Sequence, residues 1–134
     1  MDIRLRGRVA NRGKAAGEAL ISHKPFSFMQ ADLSTGMVYQ PGHEFHGKSI
    51  KDKVLIFTTG CGPAGYHLFV LKNSIAAPKA IINIRPFYQQ VGDAISSDLP
   101  MMYGFGLNVL DIIQTGDWVS VDADNGIITV KKKS

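Results

Sequence analysis

Lys53-Val54-Leu55-Ile56-Phe57-Thr58-Thr59-Gly60-Cys61-Gly62-Pro63-Ala64-Gly65 decides the fold. Its run from Val54 to Phe57 has no polar alternation, the pattern of a strand buried on both faces. Glycines at 60, 62 and 65 then turn the chain into a stretch where Ala64, Leu68, Leu71 and Ile75 share one helical face, predicting a helix to about Ser74. The next apolar run, Ala80-Ile81-Ile82-Asn83-Ile84, is short and rich in isoleucine, as a parallel neighbour of the first strand should be. Together they make one right-handed strand, helix, strand unit. A glycine turn between strand and helix presents backbone N–H groups and a positive dipole end, a combination suited to an anion. The same turn carries Cys61, the only cysteine.

Working outward, the residues before this unit read as short strands and turns. Ile3-Arg4-Leu5-Arg6-Gly7-Arg8-Val9 alternates at period two, and Glu18-Ala19-Leu20-Ile21-Ser22 and Gly36-Met37-Val38-Tyr39 are further candidate strands. Gly13, Gly17, Pro25, Asp32, Gly36, Pro41-Gly42 and Gly47 interrupt too often for a long helix. Beyond the unit, Val91-Gly92-Asp93-Ala94-Ile95 is flanked by turns, and Leu107 to Ile113 reads as a short helix after Gly104-Phe105-Gly106. Asp117-Trp118-Val119-Ser120-Val121 and Ile127-Ile128-Thr129-Val130 bracket Asn125-Gly126 as a hairpin. The expected fold class is mixed α/β, a single domain over 1–134: a β-sandwich or barrel-like sheet with one or two helices packed on it.

A chain of 134 residues buries enough surface to fold without staples. One cysteine makes neither an internal disulfide nor a metal cluster, and it fits a reducing, cytoplasmic setting. No apolar stretch approaches the roughly 20 residues that span a bilayer, and the N-terminus has no signal-peptide core. The net charge of +4 owes three units to Lys131-Lys132-Lys133, read as a solvated, frayed end. Without a basic stripe or an aromatic stacking platform, nucleic acid is not the expected partner.

The turn itself matches Gly-x-Gly-x-x-Gly, the dinucleotide fingerprint. However, Ile84-Arg85-Pro86-Phe87 stands where an acidic ribose ligand is needed, Pro63 removes an N–H from the cradle, and there is only one such unit. Cys61 at a helix N-terminus is a candidate nucleophile, acid or base, or simply a small residue in a tight turn. His67, in the first helical turn, is a candidate phosphoryl carrier or an exposed helix residue. His43, Glu44 and His46 offer donors for a metal but lack a third ligand of defined spacing.

Several further stretches carry a family resemblance. Gly17-Glu18-Ala19-Leu20, Phe28 with Asp32 and Thr35-Gly36, His43 with Gly47-Lys48-Ser49-Ile50, Lys53-Val54-Leu55, Ala77-Pro78-Lys79-Ala80-Ile81-Ile82, Gly92-Asp93-Ala94-Ile95 with Leu99-Pro100, and Thr115-Gly116-Asp117 with Val121-Asp122-Ala123 follow one another as in the small swivel subunit of aconitase X. The resemblance implies a swivelling β/β/α domain. It would dock on a large subunit bearing an iron or iron-sulfur centre and bind no cofactor itself. It further implies a hydro-lyase that removes water from a small anionic hydroxy acid, phosphomevalonate in archaea or a hydroxyproline in bacteria. Family members end the central strand in Gly-Arg-Gly-Ser-Ser, whose first serine is catalytic. By the same resemblance Cys61 takes the serine position, and Thr58, Thr59, Gly60, Gly62 and Gly65 line the substrate.

The departures are specific. Thr58 and Thr59 replace glycine and arginine, Gly62-Pro63-Ala64 replaces a serine- and threonine-rich stretch, and Met29-Gln30 replace a glycine pair. Loss of the arginine removes a bidentate anion clamp: either the substrate differs from both known types, or another residue such as Lys24, Lys48 or Arg85 supplies the charge. The alternatives are a phosphohistidine-type swivel carrier using His67, although Tyr66 precedes it where such domains place serine or threonine, and an inactive scaffold subunit.

Overall fold

The computed structural model describes residues 2–62, 64–105 and 109–133. Its centre is the unit read from the sequence. Strand β4 (Lys53–Phe57) pairs in parallel with β5 (Ala80–Asn83), and helix α1 (Gly65–Lys72) crosses between them. The four apolar residues of β4 are fully buried, as a strand covered on both faces requires. Strand β3 (Lys14–Ile21) lies parallel to β4 on its other side, and β6 (Met101–Tyr103) parallel to β5. The remaining pairings are antiparallel: β7 (Trp118–Asp122) with β3, β8 (Ile127–Lys131) with β7, β1 (Asp2–Arg6) with β8, and β2 (Arg8–Asn11) with β6.

The result is one eight-stranded sheet in the order β1-β8-β7-β3-β4-β5-β6-β2. Strands β1 and β2 adjoin in the chain yet occupy opposite ends of that order, with only Gly7 between them. The sheet must therefore curl until its edges meet, which selects the barrel-like reading over the sandwich. A Cβ on Gly7 would fall 2.7 Å from the Phe105 ring, so the seam has room only for glycine. Alternation sorts the strand residues between two cores. Ala19, Val54, Ile56, Ala80, Ile82, Met102, Val119 and Val130 fill the inside of the curl. Leu20, Leu55, Phe57, Ile81 and Met101 face outward to α1, to α2 (Tyr88–Ser96) and to the lobe at 22–52. In that lobe Phe26 packs edge-on against Phe28, Phe45 and Phe57 at centroid distances of 5.2, 5.0 and 5.6 Å.

Several expectations change. The alternating stretch from Ile3 to Val9 is two strands, because Gly7 sends its halves to opposite edges. The second candidate strand is longer than read, Lys14–Ile21. Gly36-Met37-Val38-Tyr39 is no strand and makes only isolated bridges. Its neighbourhood is governed by a turn in which Asp32 accepts from the N–H groups of Ser34 and Thr35 and from the Ser34 hydroxyl. Those donors lower the Asp32 carboxyl to about 2, and Gly36 follows at φ +75°. Helix α1 stops at Lys72, where Asn73 caps it by donating to Phe69 O, so Ile75 leaves the apolar face and stands 78% exposed. Val91 to Ile95 lies within α2. A third helix, α3 (Val109–Ile112), makes a single turn, while Leu107, where it was expected to begin, is outside the described residues.

The C-terminal lysines are not frayed. Lys132 Nζ donates to Asp117 Oδ2 (2.6 Å) and Ile112 O (2.7 Å), and Lys133 donates from its backbone to Asp117 Oδ1 and from Nζ to Thr115 O. Among the described residues no helix is long and apolar enough to cross a membrane.

Candidate functional site

The glycine loop leaves the C-terminal end of β4, the end of a parallel sheet at which ligands characteristically bind. Its base is fixed by the backbone. Thr58 O accepts from the N–H groups of Ile84 and Arg85 (both 3.1 Å), and Thr59 O accepts from Phe26 N–H (3.1 Å), so the loop is bridged to the lobe beside β3. Gly60 is buried, and a Cβ there would come within 2.7 Å of the Gln90 carboxamide of α2. Cys61 is exposed. Gly62 adopts φ +68°, a conformation that costs any side-chain-bearing residue. Pro63, expected to interrupt the cradle, is outside the described residues.

Helix α1 begins without a side-chain cap: Ala64 occupies the N-cap and only its carbonyl is used, accepting from Leu68 N–H (2.8 Å). Asp93 of α2 stands against this end, its carboxylate 2.7 Å from where a Gly65 Cβ would be. Burial raises the Asp93 carboxyl above its ordinary value. Gly60 and Gly65 thus each have a packing reason, close approach of α2, beside any role toward a ligand. Gln90, Asp93 and Asn83 are the polar residues here that the sequence reading missed. Asn83 had a signal, being the one polar residue in the run from Ala80 to Ile84. Thr58 Oγ1, Asn83 Oδ1 and Gln90 Oε1 are buried without a hydrogen-bond partner.

Cys61 opens into a surface cavity of about 450 Å³ lined also by Lys24, Pro25, Gln40, Gly42 and His43. Among the cations put forward from the sequence, Lys24 lies in this cavity; Lys48 and Arg85 are exposed. A further cavity, of about 700 Å³, lies at the N-terminal ends of β3 to β6 and includes Lys14, Lys51, Lys72 and Lys79 with Asp52 and Asp98. It shares no residue with the glycine loop, so the chemistry is not sought there.

His43, Glu44 and His46 do not converge. His43 Nδ1 accepts from Phe45 N–H (2.9 Å), which places the ring proton on Nε2, and that N–H donates to Pro25 O (3.0 Å). Burial lowers its pKa below the ordinary imidazole value, so His43 is a neutral wall residue. Glu44 turns to His23 and Ser22, and His46 Nδ1 accepts from Gln40 N–H. Among the described residues no three His, Cys, Asp or Glu side chains are placed to hold a metal ion. His67 Nε2 donates to Ala31 O (2.7 Å), which ties its ring to the lobe.

The curled sheet, with two helices on its outer face and a glycine loop and exposed thiol at the C-terminal ends of its parallel strands, is a swivel-type β/β/α domain. The chain belongs to the aconitase X swivel domain family, whose model matches residues 4–130. It is 38% identical to the phosphomevalonate dehydratase small subunit of Methanosarcina mazei, covering 98% of this chain and 93% of that one. It is also 38% identical to the subunit of the same name from Thermococcus kodakarensis, covering 96% of both. Among solved structures, the holo form of aconitase X from Thermococcus kodakaraensis superposes with a TM-score of 0.88 at 38% identity, covering 97% of this chain and 99% of that one. A UPF0107 protein solved by NMR gives 0.87 at 30% identity, covering 98% and 100%.

Proposed function

We propose that this chain is the small subunit of an aconitase X-type hydro-lyase, acting in the cytoplasm on a small anionic hydroxy acid. The substrate would resemble the phosphomevalonate named for its relatives, or a hydroxyproline. The large subunit would hold an iron or iron-sulfur centre, whose chemistry when bound is Lewis-acid polarisation of the leaving hydroxyl. This chain would contribute the lid. Its glycine loop lies over the substrate, and backbone N–H groups at Gly60, Gly62 and Gly65 orient the acidic group. Cys61 Sγ takes the proton from the carbon next to the departing hydroxyl, or delivers the proton with which that hydroxyl leaves as water. A thiol is chemically capable of either role.

The observation that carries this reading is family membership across residues 4–130, together with an exposed Cys61 at the end of the buried central strand. The carrier reading gains no support from the structure, where His67 Nε2 is tied to Ala31 O.

The test is co-purification of the tagged chain from its native cells, followed by assay of the complex on hydroxy acids. A stoichiometric iron-bearing partner is expected, and Cys61→Ala should lower kcat by about 10²–10⁴ while Cys61→Ser keeps part of the rate. Full activity in Cys61→Ala removes the proton-transfer role. A chain that purifies alone removes the subunit reading, and a complex without dehydratase activity leaves the scaffold.

A further inference from the structure

The Cys61 cavity is built from three separate stretches, residues 24–25 after β3, the turn at 40–43, and the glycine loop. They are locked together from behind. Phe26 bridges to Gly60, and its ring packs on His43 and Phe45, while His43 packs on Phe45 at 4.9 Å. The walls are therefore set before any ligand arrives.

Two groups in this cavity, Lys24 and Cys61, have unspent capacity. Lys24 is held by its backbone, its N–H donating to Ser22 Oγ (3.0 Å), and its Nζ donates to Gly42 O (2.7 Å). Two of its three ammonium protons remain, and among the described residues no carboxylate forms an ion pair with it. The carboxylate best placed to do so, Glu44, is occupied by His23 and Ser22. Gln40 lines the cavity, but its Oε1 is withdrawn from the surface and offers nothing to a ligand. Cys61 brings an exposed thiol. His43 adds neither charge nor a free proton, as its two nitrogens are both engaged. A cation and a thiol around about 450 Å³ suit a small molecule with an acidic group.

We infer that Lys24 binds the acidic group of the ligand in the Cys61 cavity, a carboxylate or a phosphoryl group. The inference deepens the proposed function and rests on it for turnover, but not for binding. Lys24 then supplies the charge that Thr59 cannot.

The test uses the full chain alone. Alkylation of Cys61 by iodoacetamide is followed by intact mass at constant ionic strength, with inorganic phosphate, malate, succinate or neutral glycerol. A bound ligand shields the thiol, so the rate falls about tenfold when the ligand stands at ten times its dissociation constant. Protection is expected in the wild type and in Lys24→Arg from at least one anion, and which one distinguishes phosphoryl from carboxylate. Glycerol should give none. Lys24→Met should lose the protection. Undiminished protection in Lys24→Met, or none in the wild type, overturns the Lys24 assignment. The measurement needs neither partner nor turnover, so its failure removes this subsite while the subunit reading is decided separately by co-purification.

Discussion

Gly60 shows how tightly the loop is fitted, since the Gln90 carboxamide occupies the place a methyl group would need. Gln90 is the flexible end of a side chain, but at 4% exposure it has nowhere easy to go. Gly60→Ala should therefore destabilise by about 1–3 kcal/mol, the usual cost of overpacking. In a Gln90→Ala background the obstacle is gone, and the same substitution should cost at least about 1 kcal/mol less. Urea denaturation of the four proteins measures this coupling, and equal costs in both backgrounds would show that Gln90 is not what excludes the side chain. Such a contact is invisible in the sequence, where Gly60 and Gln90 belong to different elements thirty positions apart. What was legible was the loop, because a double-sided apolar strand followed by glycines is a local pattern. Lys24 as the cation beside Cys61 was one of three candidates, and only the Phe26 to Gly60 bridge brings its segment there.

Elements were read well where their signal was local and poorly where it depended on a distant partner. The central strand, helix and strand came through, as did the β7–β8 hairpin. Gly36 to Tyr39 has strand-like residues but no neighbouring ladder, and the Asp32 turn wins. The C-terminal lysines look like a tail until β8 delivers Lys132 to Asp117. Asp117 is fully buried, and that burial, the largest single influence, pushes its carboxyl up. Donation from Gln114 N–H, Lys132 Nζ and Lys133 N–H outweighs it and holds the pKa below the ordinary 3.8. A carboxyl depressed in the folded state stabilises above its unfolded pKa, and that contribution is lost as pH falls from about 3.8 through the folded value. Asp117→Asn should therefore cost about 2–4 kcal/mol at pH 7, because Lys132 keeps its charge without a counter-ion. At pH 3 the difference from wild type should be smaller. Denaturant midpoints at the two pH values check this, and a difference that does not shrink would mean the carboxylate charge is not what anchors the tail.

The whole molecule has two ends, and they differ in a way that bears on docking. No run of residues announces that β1 and β2 lie at opposite edges, since closure of the sheet follows from pairing with β8 and β6 far along the chain. Closure is nevertheless what separates the ends: the glycine loop sits at the C-terminal ends of the parallel strands, and the large lysine-rich cavity at their N-terminal ends. At the loop end Met29 and Tyr66, 53% and 82% exposed, border a cavity with Ala64, Gly65 and His67. At the far end Ile75, 78% exposed, stands beside the lysines. A subunit whose loop closes over a partner's substrate must bury the first set and can leave the second in water. Tyr66→Asp should then weaken association with the large subunit at least about tenfold, the loss of 1.4 kcal/mol or more expected of a central aromatic. Ile75→Asp should leave association unchanged, and neither surface substitution should alter the stability of the free chain by more than about 0.5 kcal/mol. Titration calorimetry of the two variants against the large subunit decides the matter. If Ile75→Asp is the one that weakens binding, the partner docks at the lysine end, Cys61 faces away from it, and the glycine loop cannot be the lid.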